Sequence, residues 1–173
     1  RPVKKVKPEE RPEVHFTYLD ISSINNESYR ITEPKVYKGA EAPSRARQLV
    51  EAHDVLFSTV RTYLKNIALV PEIYDGEIAS TGFSVLRSKP NVLPRYLFYY
   101  SLTDRFVSEL SKLQRGTSYP AVRDEDVHTR EIPLAPLREQ RRIVDAIETQ
   151  FTRLDAAVAA LERARANLKR YRA

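Results

Sequence analysis

Hydrophobic residues are arranged differently in the two ends of this chain. Up to about residue 87 they come in short runs broken by polar stretches, and from residue 137 they recur at helical spacing. The run His15 to Ile21 is aromatic and β-branched, which predicts a strand. Ser22 to Ser28 is polar and turn-like. Tyr29 to Tyr37 is read as a second strand, confined to a sheet edge by Pro34. Asp54 to Val60 reads as a buried strand, and Ile67 to Pro71 as another that ends at Pro71. Between them Arg61 to Asn66 is polar, basic and aromatic, so it is read as a loop presented by two strands. Ile78 to Arg87 is a further predicted strand, with Gly82 as a bulge.

Pro94 suits the first turn of a helix. Leu97, Tyr100, Leu102, Phe106, Leu110 and Leu113 continue one at roughly helical spacing. Gln114 to Pro120 is a loop rich in small, hydroxyl and basic residues. Asp124 to Val127 suits a short helical turn, and Ile132 to Pro136 an extended connector. The first dozen residues, rich in Pro, Lys and Glu, read as a solvated lead-in.

A single long helix is predicted from Leu137 to Tyr171. Leu137, Val144, Phe151, Val158 and Arg165 stand at seven-residue steps, as do Gln140, Ile147, Leu154, Leu161 and Leu168. The two rows are offset by three and four residues, which makes them the a and d rows of a heptad seam broken only by Arg165 and Gln140. About 35 residues at 1.5 Å each give a helix of about 50 Å. So long and narrow a seam calls for a partner helix, from another chain or from a further part of this one. The competing reading, a helix lying on its own domain, fits poorly with its charge-rich opposite face. The predicted architecture is α+β: a domain over residues 1–136 on a mixed or antiparallel sheet, then a coiled-coil-forming helix over 137–173.

Composition narrows the function. The 173 residues carry a formal net charge of +6, which favours polyanionic partners, nucleic acid foremost. A solvated basic surface without a partner is the alternative. No run is long enough for a membrane span, and none resembles a signal peptide. Cysteine is absent, which excludes thiolate metal sites and Cys nucleophiles and fits a reducing cytoplasm. Methionine is absent and the sequence opens at Arg1, so a piece of a longer protein is expected.

Catalytic signals are poor. His15, His53 and His128 lack metal-ligand spacing and are read as structural or exposed. There is no nucleophile elbow and no phosphate-binding glycine loop. Asp20, Glu33 and Lys35 imitate the carboxylates and lysine of a metal-dependent nuclease, but Pro34 disrupts the strand that would aim them. An adenine-methyltransferase Asn-Pro-Pro-aromatic motif is also missing. Nucleic-acid signals are better. One loop offers Arg61, Thr62, Tyr63, Lys65 and Asn66, and the other Gln114, Arg115, Gly116, Thr117, Ser118, Tyr119 and Arg123. Arg can grip guanine with two hydrogen bonds, and Asn or Gln adenine. Ser, Thr, Lys and Tyr suit phosphates. Gly116 allows close backbone approach. On composition alone, two ordinary solvated loops are the slightly favoured reading.

Taken together, the segments resemble the specificity subunit of type I restriction–modification enzymes. The most specific stretch is Ile132-Pro133-Leu134-Ala135-Pro136-Leu137-Arg138-Glu139-Gln140-Arg141-Arg142-Ile143-Val144, leading into the long helix. Asp54-Val55-Leu56 with Ser58, Arg61, Tyr63-Leu64 and Val70-Pro71 carries it further, as do Arg115-Gly116-Thr117 with Val122 and Asp126, Ser80 to Phe83, and the closing Leu168 to Arg172. The resemblance implies a non-catalytic reader of double-stranded DNA. A full subunit has two target-recognition domains, each followed by a spacer helix. The helices pair antiparallel and dock modification subunits, which bind S-adenosylmethionine and methylate adenine, and restriction subunits join that core. One domain and one helix correspond to half a subunit. The resemblance thus implies no cofactor in this chain, with S-adenosylmethionine, ATP and Mg in the partner subunits. It implies helix pairing through Leu137, Val144, Ile147, Phe151, Leu154, Val158, Leu161 and Leu168, with a second half or a second copy. The alternative is a coiled-coil assembly or adaptor module whose basic charge is incidental.

Overall fold

The short apolar runs become strands and the heptad rows one helix. The computed structural model describes residues 2–171, with side chains described through Leu168. The chain divides into two units, Arg1–Leu134 and Ala135–Ala173.

In chain order the strands are β1 (His15–Leu19), β2 (Ile24–Asn25), β3 (Arg30–Ile31), β4 (Lys35–Lys38), β5 (Ala46–Leu49), β6 (Val55–Ser58), β7 (Ile67–Leu69), β8 (Ile78–Ser80) and β9 (Phe83–Leu86). Helices α1 (Pro94–Ser101), α2 (Asp104–Ser111), α3 (Asp124–His128) and α4 (Leu137–Tyr171) follow. A mixed four-stranded sheet runs β4-β1-β8-β5, with β1 and β8 parallel and the other pairs antiparallel. An antiparallel three-stranded sheet runs β7-β6-β9, and β2 and β3 make a separate hairpin.

The three-stranded sheet is buried on both faces, which explains the unbroken apolar run at residues 55–57. One face sends Leu56, Ala68 and Val85 into a cluster with Leu19, Val50 and Ala79 of the larger sheet's neighbourhood. The other sends Val55, Phe57 and Ile67 against Phe106, Val107 and Leu110 of α2 and Val127 of α3. The Phe57 and Phe106 rings meet edge to face, 5.6 Å between centroids. The far face of the four-stranded sheet holds Phe16, Tyr18, Ala46 and Ile78.

Several expected elements are rearranged. The predicted strand 78–87 is two strands, because the chain leaves one sheet and enters the other at Thr81 and Gly82. Gly82 marks this crossing and not a bulge; a Cβ there would stand 2.9 Å from the tip of the Ile21 side chain, which would have to shift. The predicted helix after Pro94 is two helices. Thr103 breaks it by turning extended (φ −64°, ψ 143°), its hydroxyl accepting from Phe106 N–H to start α2. Tyr29 to Tyr37 is likewise broken by Pro34, leaving β4 on the sheet edge. There Val36 is exposed between Lys35 and Lys38, side chains that discourage a further strand.

The lead-in segment is more ordered than a solvated one. Val6 N–H donates to Arg47 O and Leu49 N–H to Lys4 O, while the Lys5 ammonium reaches Gln48 Oε1 at 2.8 Å. Pro8 is buried, and a Cβ at Gly39 would overlap the Pro8 and Arg11 carbonyl oxygens, so glycine is what lets this segment lie flat.

The second unit is the α4 helix with its approach. Glu139 and Gln140 N–H both bond Pro136 O, and the Gln140 side-chain amide donates to Ala135 O at 2.8 Å. Gln140, an exception in the apolar seam, thereby ties down the start of the helix. Lys169 to Arg172 of the closing motif lie outside the residues whose side chains are described.

Candidate nucleic-acid interface

The β6–β7 hairpin ends in a loop with an unusual backbone. Arg61 (φ 48°) and Lys65 (φ 51°) are both left-handed, on either side of a 3-10 turn at Thr62–Leu64. For residues other than glycine this conformation costs roughly 1–2 kcal/mol each, so the surroundings must enforce it. Three anchors do. The Thr62 hydroxyl lies 2.8 Å from Ser111 Oγ at the end of α2. The Lys65 ammonium donates to Asp104 Oδ1 at 2.6 Å, at the start of α2. Asn26, in the β2–β3 turn, donates to Leu64 O at 3.0 Å. The Lys65 hydrogen bond also holds the Asp104 carboxyl below the usual carboxylate range.

The second loop is closed by its own backbone. Arg115 and Ala121 exchange N–H···O bonds of 2.9 and 3.0 Å. Gly116 turns the chain at φ +92°, a conformation that favours glycine. Two backbone bonds then join this loop to the first. Arg61 N–H donates to Pro120 O at 2.7 Å and Val122 N–H to Thr59 O at 2.9 Å, which together make Val60 and Ala121 an isolated antiparallel bridge. Side chains add a further link: Arg61 Nη2 donates to Ser118 O at 3.2 Å, and its guanidinium lies 5.1 Å from the Tyr119 ring centre. Two loops whose contacting residues lie more than fifty positions apart in sequence thus form one continuous surface.

That surface presents Tyr63, Arg115, Gly116, Thr117, Ser118, Tyr119 and Arg123 as exposed residues. Arg123 precedes α3 and its backbone N–H donates to Asp126 Oδ2 at 2.9 Å, which leaves its side chain at the surface. A sequence profile described as Type I restriction modification DNA specificity domain matches residues 1–167. The chain belongs to this family.

Individual relatives agree with the assignment. The chain is 28% identical over 101 residues, 58% of its length, to the EcoDI type I restriction enzyme specificity subunit of Escherichia coli. It is 44% identical to the HsdS subunit of Thermoanaerobacter tengcongensis, whose crystal structure superposes with a TM-score of 0.84 over 91% of this chain. A solved chain from work on complex assembly and conformational transition of the type I R-M system is 45% identical, with TM-score 0.84 over 91%. The chain spans 41% of each of those two solved chains, and its match spans 22% of the E. coli subunit.

Within this specificity-domain fold the residues picked out from the sequence have unequal positions. Thr62 is buried, only 1% exposed, and its hydroxyl is spent on Ser111, so it shapes the loop from inside and is not offered to a ligand. Arg61, Lys65, Asn66 and Gln114 are half-buried. Gln114 Nε2 points back to Pro120 O at 3.4 Å. The residues that hold the site, Asn26, Asp104 and Ser111, were not legible as such, because each meets its loop partner at least 38 positions away. The Thr103-Asp104 pair was nevertheless a readable helix start.

The seam of α4 is exposed over its distal part. Phe151, Leu154, Val158, Leu161 and Leu168 are between 46% and 71% exposed. Val144 is buried, and Leu137 and Ile147 are half-buried. Among the described residues no His, Asp or Glu group is arranged to hold a metal ion. No helix among them is long and apolar enough to cross a membrane.

Proposed function

We propose that this chain reads one half of a bipartite double-stranded DNA target, as one recognition domain and one spacer helix of a type I specificity subunit. The observation that carries the reading is the fusion of loops 61–66 and 114–123 into one polar, basic and aromatic surface. Exposed arginine, hydroxyl and tyrosine side chains are the groups suited to base edges and phosphates. The distal seam of α4 supports a second role. Its exposed apolar row suits a partner helix, from the other half of the subunit or from a second copy, and the same helix docks modification subunits. Restriction subunits would join that assembly. In this reading the chain supplies recognition, while S-adenosylmethionine, ATP and Mg serve the partner subunits. Two identical halves paired about a two-fold axis would select a palindromic split target.

The test is to select duplex DNA from a random pool with the chain assembled with its modification subunit, and to sequence what is retained. A split motif is expected. Retention without any enriched sequence would leave the competing reading, an assembly module favoured by the exposed α4 seam alone. Salt-dependent affinity for one defined duplex separates the two.

A further inference from the structure

We propose that Arg61 is a positioning residue, the clasp that holds the two recognition loops together, and not a reader of bases. This rests on the DNA-reading function above. An arginine that grips guanine must project a free pair of adjacent donors. Here Nη2 already donates to Ser118 O, and Nε is buried without a hydrogen-bond partner among the described residues, so the side edge that pairs these two nitrogens is turned to the second loop. The guanidinium lies against the Tyr119 ring and the backbone N–H is held by Pro120 O. Every one of these contacts points toward residues 118–120.

The backbone supports the same conclusion. At φ 48° a glycine would sit without strain, whereas arginine does not. The side chain must therefore return something, and what it does here is cross to the second loop. Without it the Gly116 to Pro120 excursion is closed at its neck by the Arg115–Ala121 pair, and Ser118 and Tyr119 are otherwise exposed. Ordering that excursion before DNA arrives removes part of the entropy cost of binding. Tyr63, Arg115 and Arg123, exposed around the clasp, are left to meet the DNA.

The clasp makes Arg61 and Tyr119 one unit, so their mutations should not add. With the chain assembled with its modification subunit, Arg61→Gly and Tyr119→Ala should each weaken binding to the selected duplex about tenfold, and the double variant no further. Arg61→Lys keeps the charge but loses the flat guanidinium, and should resemble Arg61→Gly. Tyr119→Phe keeps the ring and should recover most of what Tyr119→Ala loses. In the free chain, amide hydrogen exchange at Arg115 and Ala121, whose N–H groups close the loop, should rise about tenfold in Arg61→Gly and Arg61→Lys. Discrimination should weaken across the whole half-site. Additive losses or unchanged exchange would overturn the clasp, and relaxed specificity at a single base pair would overturn it and make Arg61 a base reader. If the wild-type assembly prefers no sequence, the DNA-reading function falls, and the exchange measurement still decides whether Arg61 orders the loop.

Discussion

The buried ion pair at the root of the hairpin that carries loop 61–66 allows a worked prediction. Asp54 stands just before β6 and Arg87 just after β9, its neighbour in the sheet. Arg87 Nε donates to Asp54 Oδ1 at 2.9 Å and Nη2 to Oδ2 at 2.7 Å, while Glu51 N–H donates to Oδ2 at 2.8 Å. The two side chains are 2% and 10% exposed. The hydrogen bond to Asp54 is the main reason the Arg87 guanidinium is held above its ordinary range. Breaking a buried pair by removing one charge costs about 3–5 kcal/mol. Glu51, 2.7 Å from Nη1 but 56% exposed, recovers at most about 1 kcal/mol of that. Asp54→Asn is therefore expected to destabilise the chain by about 3 kcal/mol. That is roughly a hundredfold in the unfolding constant, read as a lower urea midpoint at unchanged slope. Replacing both residues, Asp54→Leu with Arg87→Leu, removes the uncompensated charge and should lie within about 1 kcal/mol of wild type. A single variant losing less than about 1 kcal/mol, or a double variant as unstable as the single, would refute the reasoning. The first result would make the pair weakly coupled, and the second would make its contribution one of packing.

Other predictions concern the helix, the loops and pH. Leu154→Asp with Leu161→Asp, two of the most exposed seam positions, should abolish helix pairing in sedimentation of the assembled complex while the circular dichroism of the free chain is kept; undiminished assembly would mean that the seam is not the pairing surface. Arg115→Ala should weaken binding to the selected duplex. A drop of about one in the salt slope marks a phosphate contact, and relaxed choice at one base pair marks base reading. Burial raises the Tyr18 phenol above its ordinary 10.0, with a hydrogen bond from Ser80 opposing. A raised acid pKa stabilises the fold below the unfolded value, and that contribution disappears as pH climbs through the folded one. Stability should therefore fall from about pH 10 upward, and less steeply in Tyr18→Phe; identical alkaline profiles would exclude Tyr18 as the cause.

Periodicity alone determined the parts of this protein that depend on local physics. The heptad rows of 137–168 specify a helix whatever surrounds them, since the spacing is a property of one element. The apolar runs at 15–19, 55–58 and 67–69 specify strands for the same reason, and the polar residues between the last two specify a presented loop. The family was legible too, because Ile132 to Val144 is an ordered string of particular residues. What the tertiary structure decided depends on partners distant in sequence. β5 was invisible because Ala46 to Leu49 alternates small, charged and polar residues that only the neighbouring Lys4 to Val6 and β8 make into a strand. The split of 78–87 between two sheets follows from the strands each half pairs with, β1 and β5 for β8 and β6 for β9, all more than twenty positions away. Composition put Arg61 and Thr62 alongside Tyr63 and Arg115 as equals. Only the fold turns Thr62 inward onto Ser111 and lays Arg61 across Tyr119, because a side chain's role is set by what stands within hydrogen-bonding reach of it, and the sequence does not record that distance.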